Sequence, residues 1–87
     1  MPTVAQHFSE NLARELDRSP LSQEAVATRA GIHRTQITKL LEGVHVPRVD
    51  TMIKLEGALG LKRATLIQGI TWNPPTAPSG EFKASST

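Results

Sequence analysis

The chain has 87 residues, of which 38% are apolar and only 3% are aromatic. This length favours one domain, and the composition favours short helices packed through Leu, Ile, Val and Ala over a β-sandwich. The absence of cysteine excludes disulfides, thiol catalysis and cysteine-ligated zinc. No apolar run approaches the ~18 residues that span a bilayer, and the amino terminus lacks the apolar segment of a signal peptide, so we expect a cytoplasmic chain.

The net charge of +2 is distributed unevenly along the chain. Residues 1–28 carry −2, residues 29–48 carry +3 and residues 49–87 carry +1. The basic middle segment holds one acid, Glu42, and four cations: Arg29, Arg34, Lys39 and Arg48. A short basic segment is expected of a surface that meets phosphates, although a solvated helix face shows the same clustering.

The first predicted helix covers residues 4–17. Thr3 begins a capping-box pattern that Gln6 completes. The apolar residues of this segment follow at i, i+4 spacing and form one stripe: Val4, Phe8, Leu12 and Leu16. Pro20 ends the helix, because the residue before a proline is pushed out of the α region.

Two short predicted helices come next, covering residues 23–29 and 33–41. Ser22 is a good N-cap for the first of them. Gly31 lies between the two helices and can adopt the left-handed conformation that a tight interhelical turn requires. This arrangement predicts a helix-turn-helix over about residues 22–41.

Two more helices are predicted after the loop that Pro47 marks. The fourth covers residues 50–59, and the fifth covers residues 63–68 with Leu66 and Ile67 facing inward. Five helices joined by loops of this length predict an all-α domain over residues 1–70.

The helix at residues 33–41 has two distinct faces at ~100° per residue. Ile37, Leu40 and Leu41 share one side, and we expect Ile37 and Leu40 to pack beside the small Ala27. The opposite side bears cations and hydroxyl groups: Arg34, Thr35, Thr38 and Lys39. Such groups suit the edges of bases and the phosphates of a duplex.

The run LSQEAVATRAGIHRTQITKLLEG resembles the DNA-binding motif of the lambdoid phage repressor and Cro family, also called the XRE family. The following VPRVDTMIKLEGALGL resembles the fourth helix of that family. The resemblance covers about residues 4–70 and implies a five-helix domain whose third helix enters the major groove.

The resemblance also implies roles for individual residues. Base contacts fall on three residues of the third helix: Arg34, Thr35 and Lys39. Contacts to the DNA backbone fall on six residues: Gln23, His33, Gln36, Thr38, His45 and Arg48. The chain departs from the family at His33, where Ser or Thr is the usual cap, and at Leu41, where Glu is usual. Leu41 is then either additional core or the start of an exposed apolar patch.

Enzymatic and metal-binding functions find no support in the sequence. His7, His33 and His45 do not have the spacing of metal ligands. The chain has no Ser/His/Asp arrangement, no paired carboxylates and no glycine-rich phosphate loop, so we expect neither an enzyme nor a cofactor.

Residues 71–87 form a Pro-rich tail with two interpretations. The tail is either disordered or contains two short strands, residues 70–73 and 81–84, which fold over the domain or pair with a second subunit. We favour partial order, because an unstructured tail seldom keeps a tryptophan such as Trp72 so near Ile70. Trp72 and Phe82 would make the contact with a dimer partner or another protein, since a lone hairpin is marginal in water.

The sequence therefore predicts a sequence-specific DNA-binding regulator, most simply a bacterial or phage repressor that binds an inverted repeat as a homodimer. Two alternatives stay open. The chain can be the antitoxin of a toxin–antitoxin pair whose tail binds the toxin, or an interaction module that does not bind DNA. Binding of a co-encoded small protein that requires residues 71–87 would favour the antitoxin. Absence of DNA binding at low salt would favour the interaction module.

Overall fold

The architecture comes from a computed structural model, which describes residues 2–73 and 81–84. It has four α-helices, one 3₁₀ turn and two strands. In chain order these are α1 (Val4–Arg18), α2 (Gln23–Ala30), α3 (Arg34–Leu41), α4 (Val49–Leu59), the 3₁₀ turn (Thr65–Ile67), β1 (Ile70–Asn73) and β2 (Glu81–Ala84). Within the described ranges, no helix is long and apolar enough to cross a membrane.

The four helices begin and end within one residue of their predicted bounds, and the predicted side-chain caps fix the starts of α1 and α2. The Thr3 N–H donates to Gln6 Oε1 over 2.7 Å, and the Gln6 N–H donates to Thr3 Oγ1 over 3.1 Å. Ser22 Oγ accepts from the Ala25 N–H over 3.1 Å. Each cap satisfies an amide that the first helical turn leaves without a partner, so the helix starts are fixed locally.

A single apolar core joins the four helices. Its fully buried side chains come from all four helices and the 3₁₀ turn: Phe8, Leu12, Val26, Ile37, Leu55 and Leu66. Ala27 and Ala30 of α2 are also buried, and they let α2 pack closely on its neighbours. Leu41 packs against this core while half-buried, so it is additional core rather than the start of an exposed patch.

The predicted fifth helix is wrong. Residues 63–68 form only the three-residue 3₁₀ turn, bracketed by Ala64 with φ 66° and Gly69 with φ 87°. The four residues between these left-handed positions are too few for a stable α-helix. Leu66 is fully buried as expected, but Ile67 is 37% exposed, because one short turn cannot direct two consecutive side chains inward.

Two buried polar side chains fix the 3₁₀ turn. Their hydrogen bonds take over the role that backbone hydrogen bonds have in an α-helix. Asn11 Nδ2 of α1 donates to the carbonyl oxygens of Leu66 and Gln68, over 3.0 and 3.3 Å. Glu56 Oε2 of α4 accepts from the Leu66 N–H over 3.1 Å. Both side chains are more than nine-tenths buried. The turn therefore ties α1 to α4 through hydrogen bonds that are shielded from water.

The carboxyl-terminal strands form at the predicted positions. β1 and β2 pair in an antiparallel two-stranded sheet whose register places Trp72 opposite Phe82. Trp72 is 51% exposed, and the strands contact each other far more than they contact the helices. The remainder of the predicted tail, residues 74–80 and 85–87, lies outside the described residues, as does the Phe82 side chain.

We expect Asn11→Ala to lower the free energy of unfolding by about 1–3 kcal/mol, because two carbonyls of the 3₁₀ turn lose their buried donor. Chemical denaturation followed by circular dichroism measures the change. Glu10→Ala, at an exposed neighbouring position of the same helix, is the control and should shift stability by less than about 0.5 kcal/mol. Equal stability of the two variants would contradict this role for Asn11.

Candidate nucleic-acid interface

The turn between α2 and α3 is built on Gly31, which adopts the left-handed conformation with φ 69° and ψ 33°. Its N–H donates to the Thr28 carbonyl over 3.2 Å, and the Ile32 N–H donates to the Ala27 carbonyl over 3.0 Å. This pair of bonds is a Schellman motif, which closes the end of α2 and reverses the chain sharply. The predicted role of Gly31 is confirmed, and it sets the direction in which α3 leaves α2.

The helix α3 buries one face and exposes the other. Ile37 is fully buried and Leu40 is 6% exposed, and both belong to the core that α1, α2 and α4 share. The opposite face is exposed and carries the four polar residues expected there: Arg34, Thr35, Thr38 and Lys39. The two-sided helix predicted from the sequence is confirmed. The guanidinium, hydroxyl and ammonium groups project where a duplex can reach them.

The start of α3 has an unusual cap. His33 occupies the N-cap position, and its N–H donates to Gln36 Oε1 over 3.2 Å. The Gln36 side chain therefore supplies the reciprocal half of a capping box and partly offsets the weak capping ability of imidazole. With its oxygen engaged in this way, Gln36 offers its NH₂ group outward as a hydrogen-bond donor.

A groove of about 310 Å³ lies between the later part of α3, from Gln36 onward, and the loop that leads into α4. Its walls are Gln36, Lys39, Leu40, His45, Pro47, Arg48 and Thr51. Four of the nine predicted DNA contacts meet here, from two chain segments, and each can donate hydrogen bonds. The accessible surface of the groove is mostly apolar, so these four side chains supply the hydrogen bonds that an anion such as a phosphate would need.

The charges around the groove are largely uncompensated. In the part of the chain that the structure describes, neither Arg34 nor Lys39 forms an ion pair. Arg48 Nε lies 3.4 Å from Asp50 Oδ1, but these side chains are 86% and 55% exposed. An ion pair so exposed is weak, so Arg48 can exchange Asp50 for a phosphate at little cost.

The structure does not bring all predicted contacts to this groove. His33, Arg34, Thr35 and Thr38 lie on the exposed surface of α3 or at its start. Gln23, at the start of α2, is half-buried and borders a separate cleft of about 270 Å³ together with Leu41.

One cation of the basic segment serves the fold instead. Arg29 Nε donates to the Ala58 carbonyl over 3.0 Å, which ties α2 to the end of α4. The charge of residues 29–48 is therefore shared between the α3 surface and a structural contact, a division that charge counting does not reveal.

Sequence reasoning overlooked Thr51 and Asp50. Thr51 lines the groove from the first turn of α4, and Asp50 is the ion-pair partner of Arg48. A sequence signal was available for Asp50, since an acid in the first turn of a helix stabilises the helix dipole and lies near the preceding residues. Thr51 enters the site only through the path of the loop, for which the sequence holds no such signal.

Comparison with protein families decides the classification. The model of a family described as Helix-turn-helix matches residues 11–66, which include every residue of the α2–α3 unit and the groove. The chain belongs to the XRE-type helix-turn-helix family. This family is one of DNA-binding transcription regulators and is not an enzymatic family. The match therefore indicates that the chain is a DNA-binding transcription regulator. The comparison with curated proteins finds no match.

We expect Gly31→Ala to destabilise this XRE-type domain by about 1–2 kcal/mol, because a Cβ is disfavoured in the left-handed region. An added Cβ would meet no atom within 4 Å, so the loss comes from backbone conformation and not from collision. Gly31→Asn is the matched control, since asparagine tolerates this conformation, and it should lose clearly less in thermal unfolding. Equal losses would show that the conformation of Gly31 is unimportant.

Proposed function

We propose that the chain is a sequence-specific double-stranded DNA-binding repressor that reads the major groove with α3. The observation that carries the proposal is that Arg34, Thr35 and Lys39 of α3 are exposed while Ile37 of the same helix is buried. A recognition helix inserts with its first residues towards the base edges, and those residues here bear hydrogen-bonding groups.

Base recognition falls to the start of α3 and to one residue a turn later. Arg34 can donate two hydrogen bonds to O6 and N7 of a guanine, and the Thr35 methyl group can contact the methyl of a thymine. Lys39, at the edge of the groove, reaches either a base or a phosphate. These contacts provide selectivity, because the major groove presents a distinct pattern of hydrogen-bond donors, acceptors and methyl groups for each base pair.

The DNA backbone contacts fall to the groove and its surroundings. Gln36, His45 and Arg48 present donors to one phosphate path, and His33 and Thr38 flank it on the exposed side. The Thr38 hydroxyl donates to the Arg34 carbonyl over 3.3 Å, so its contact with a phosphate requires a rotation of that hydroxyl. Gln23 would bind a phosphate separately, at the start of α2.

A pair of such domains is needed for selective binding. One module buries only about 600–1,000 Å² on DNA, which is insufficient to select one site in a genome. We propose a homodimer on an inverted repeat, with recognition helices about 34 Å apart, that represses by occupying its site. The β1–β2 hairpin, with Trp72 half exposed and Phe82 opposite it in register, can add contacts to the second subunit or another protein. The same proposal assigns the protein to the cytoplasm of a bacterium, encoded by the bacterium or a phage.

Arg34→Ala should weaken binding to the preferred duplex by about 1–3 kcal/mol and relax the preference at one base pair, because a bidentate contact is lost. Selection from random duplexes followed by titration measures both effects. Arg63→Ala removes the same charge from an exposed site away from α3 and should leave the selected sequence unchanged. A selected sequence that Arg34→Ala does not alter would refute the assigned role.

Arg48→Ala should weaken binding to all duplexes alike and reduce the slope of log affinity against log salt by about one. The reason is that the loss of one phosphate contact lowers the number of counterions released on binding. Binding titrations over a range of salt concentrations measure the slope, with Arg63→Ala again as the control for lost charge. An unchanged slope would place Arg48 outside the DNA interface.

A further inference from the structure

One line of exposed positions on α4 is apolar over two turns. Val49 is 69% exposed and Ile53 is 59% exposed, and Gly57 continues the same i, i+4, i+8 line. At ~100° per residue these three positions advance by only about 40° per step, so they form one stripe, which we call the α4 stripe. A Cβ added to Gly57 would meet no atom within 4 Å, so the stripe ends in an open notch.

We infer that the α4 stripe docks on the α4 stripe of a second copy of this chain, with the two helices antiparallel about a two-fold axis at Ile53. The inference rests on the homodimer of the proposed function and names the surface that the two subunits share. Contiguous exposed apolar groups on a surface otherwise rich in charge mark interaction sites.

The shapes along the stripe are self-complementary in this arrangement. In an antiparallel pair centred on Ile53, the residue four positions before the centre faces the residue four positions after it. Val49 of each copy therefore enters the Gly57 notch of the other, and the two Ile53 side chains meet at the axis. The missing side chain at Gly57 also permits close approach at the 8–10 Å separations typical of packed helices.

The charges beside the stripe point to a second copy rather than to an unrelated partner. Asp50 and Lys54 lie on the same flank, one turn apart, and carry opposite charges. In an antiparallel pair the same flanks meet, and Asp50 of each copy lies within about 3 Å along the helix axis of Lys54 of the other, twice around the two-fold axis. An isologous interface requires this self-complementarity. In a parallel pair related by a two-fold axis, opposite flanks meet, so the flank that bears Asp50 and Lys54 would not face its counterpart.

Both charged groups are accessible to the second copy. Lys54 forms no ion pair within the described residues, and Asp50 has one oxygen 3.4 Å from the highly exposed Arg48. A carboxylate has two oxygens and can accept a second cation. The α4 stripe also lies on the helix whose first turn borders the DNA groove, so contact between two stripes would link two DNA interfaces rigidly.

Chemical cross-linking tests the geometry directly. The native chain has no cysteine, so Ile53→Cys introduces one thiol, which the two-fold axis brings close to its own copy. A short bismaleimide should convert this variant to covalent dimers, with and without the selected duplex. Val44→Cys is the matched control, since Val44 is also 69% exposed but lies outside α4, and it should cross-link far less. Equal cross-linking of both variants, or none of either, would overturn the inference.

Charge exchange tests the antiparallel pairing. Lys54→Glu should weaken dimerisation roughly tenfold in sedimentation equilibrium, because it opposes like charges across the interface. The double variant Asp50→Lys with Lys54→Asp restores opposite charges and should recover most of the loss. Failure of the double variant to recover, or dimerisation insensitive to Lys54→Glu, would overturn the pairing.

A half-site duplex separates this inference from the proposed function. Ile53→Asp should keep the circular dichroism spectrum and the half-site affinity of the native chain, because Ile53 lies outside the core, while cooperative binding to the inverted repeat is lost. Glu10→Ala, at an exposed position of α1, keeps the α4 stripe intact and should retain cooperativity. Native cooperativity in Ile53→Asp would overturn the α4 interface alone. Absence of binding by the native chain to both the half-site and the inverted repeat would overturn the proposed function.

Discussion

The burial of Ile37 decides which side of α3 meets solvent, and the rest of the proposed interface depends on that decision. Ile37 lies near the middle of an eight-residue helix and is fully buried against α1 and α2. Rotating α3 by half a turn would expose Ile37 and Leu40 and bury cations without partners. The free energy lost in this way far exceeds what other contacts of so short a helix could supply. The left-handed Gly31 sets the path into α3, and Ile37 fixes its rotation.

The second wall of the groove depends on hydrogen bonds as well as on apolar packing. His45 and Arg48 belong to the loop before α4, so their positions follow from where α4 sits. Leu55 packs that helix into the apolar core, and two polar contacts add to this packing: Arg29 donates to the Ala58 carbonyl, and buried Glu56 accepts from the Leu66 amide. Apolar packing thus positions α3, while hydrogen bonds to helix and turn ends help position the loop that faces it. Loss of either would separate the donors that line the groove.

The sequence predicted local features well where a single residue type decides them. The caps at Thr3 and Ser22, the turn at Gly31 and the two faces of α3 all follow from short-range rules, and the structure confirms them. The fifth helix failed because Ala64 adopts a left-handed conformation that its residue type does not favour, with tertiary contacts from Asn11 and Glu56 around the turn. The meeting of α3 with the loop at His45 is equally long-range, so spacing alone could not predict the groove.

The central claim is that duplex DNA meets the outer face of α3 and the adjoining groove. Amide chemical shifts of the ¹⁵N-labelled chain, recorded during titration with its selected duplex, test it most directly. The account predicts that the largest changes fall in residues 33–39 and 45–51 and diminish as salt is raised. Large changes confined to the exposed side of α1, with α3 unaffected, would contradict it.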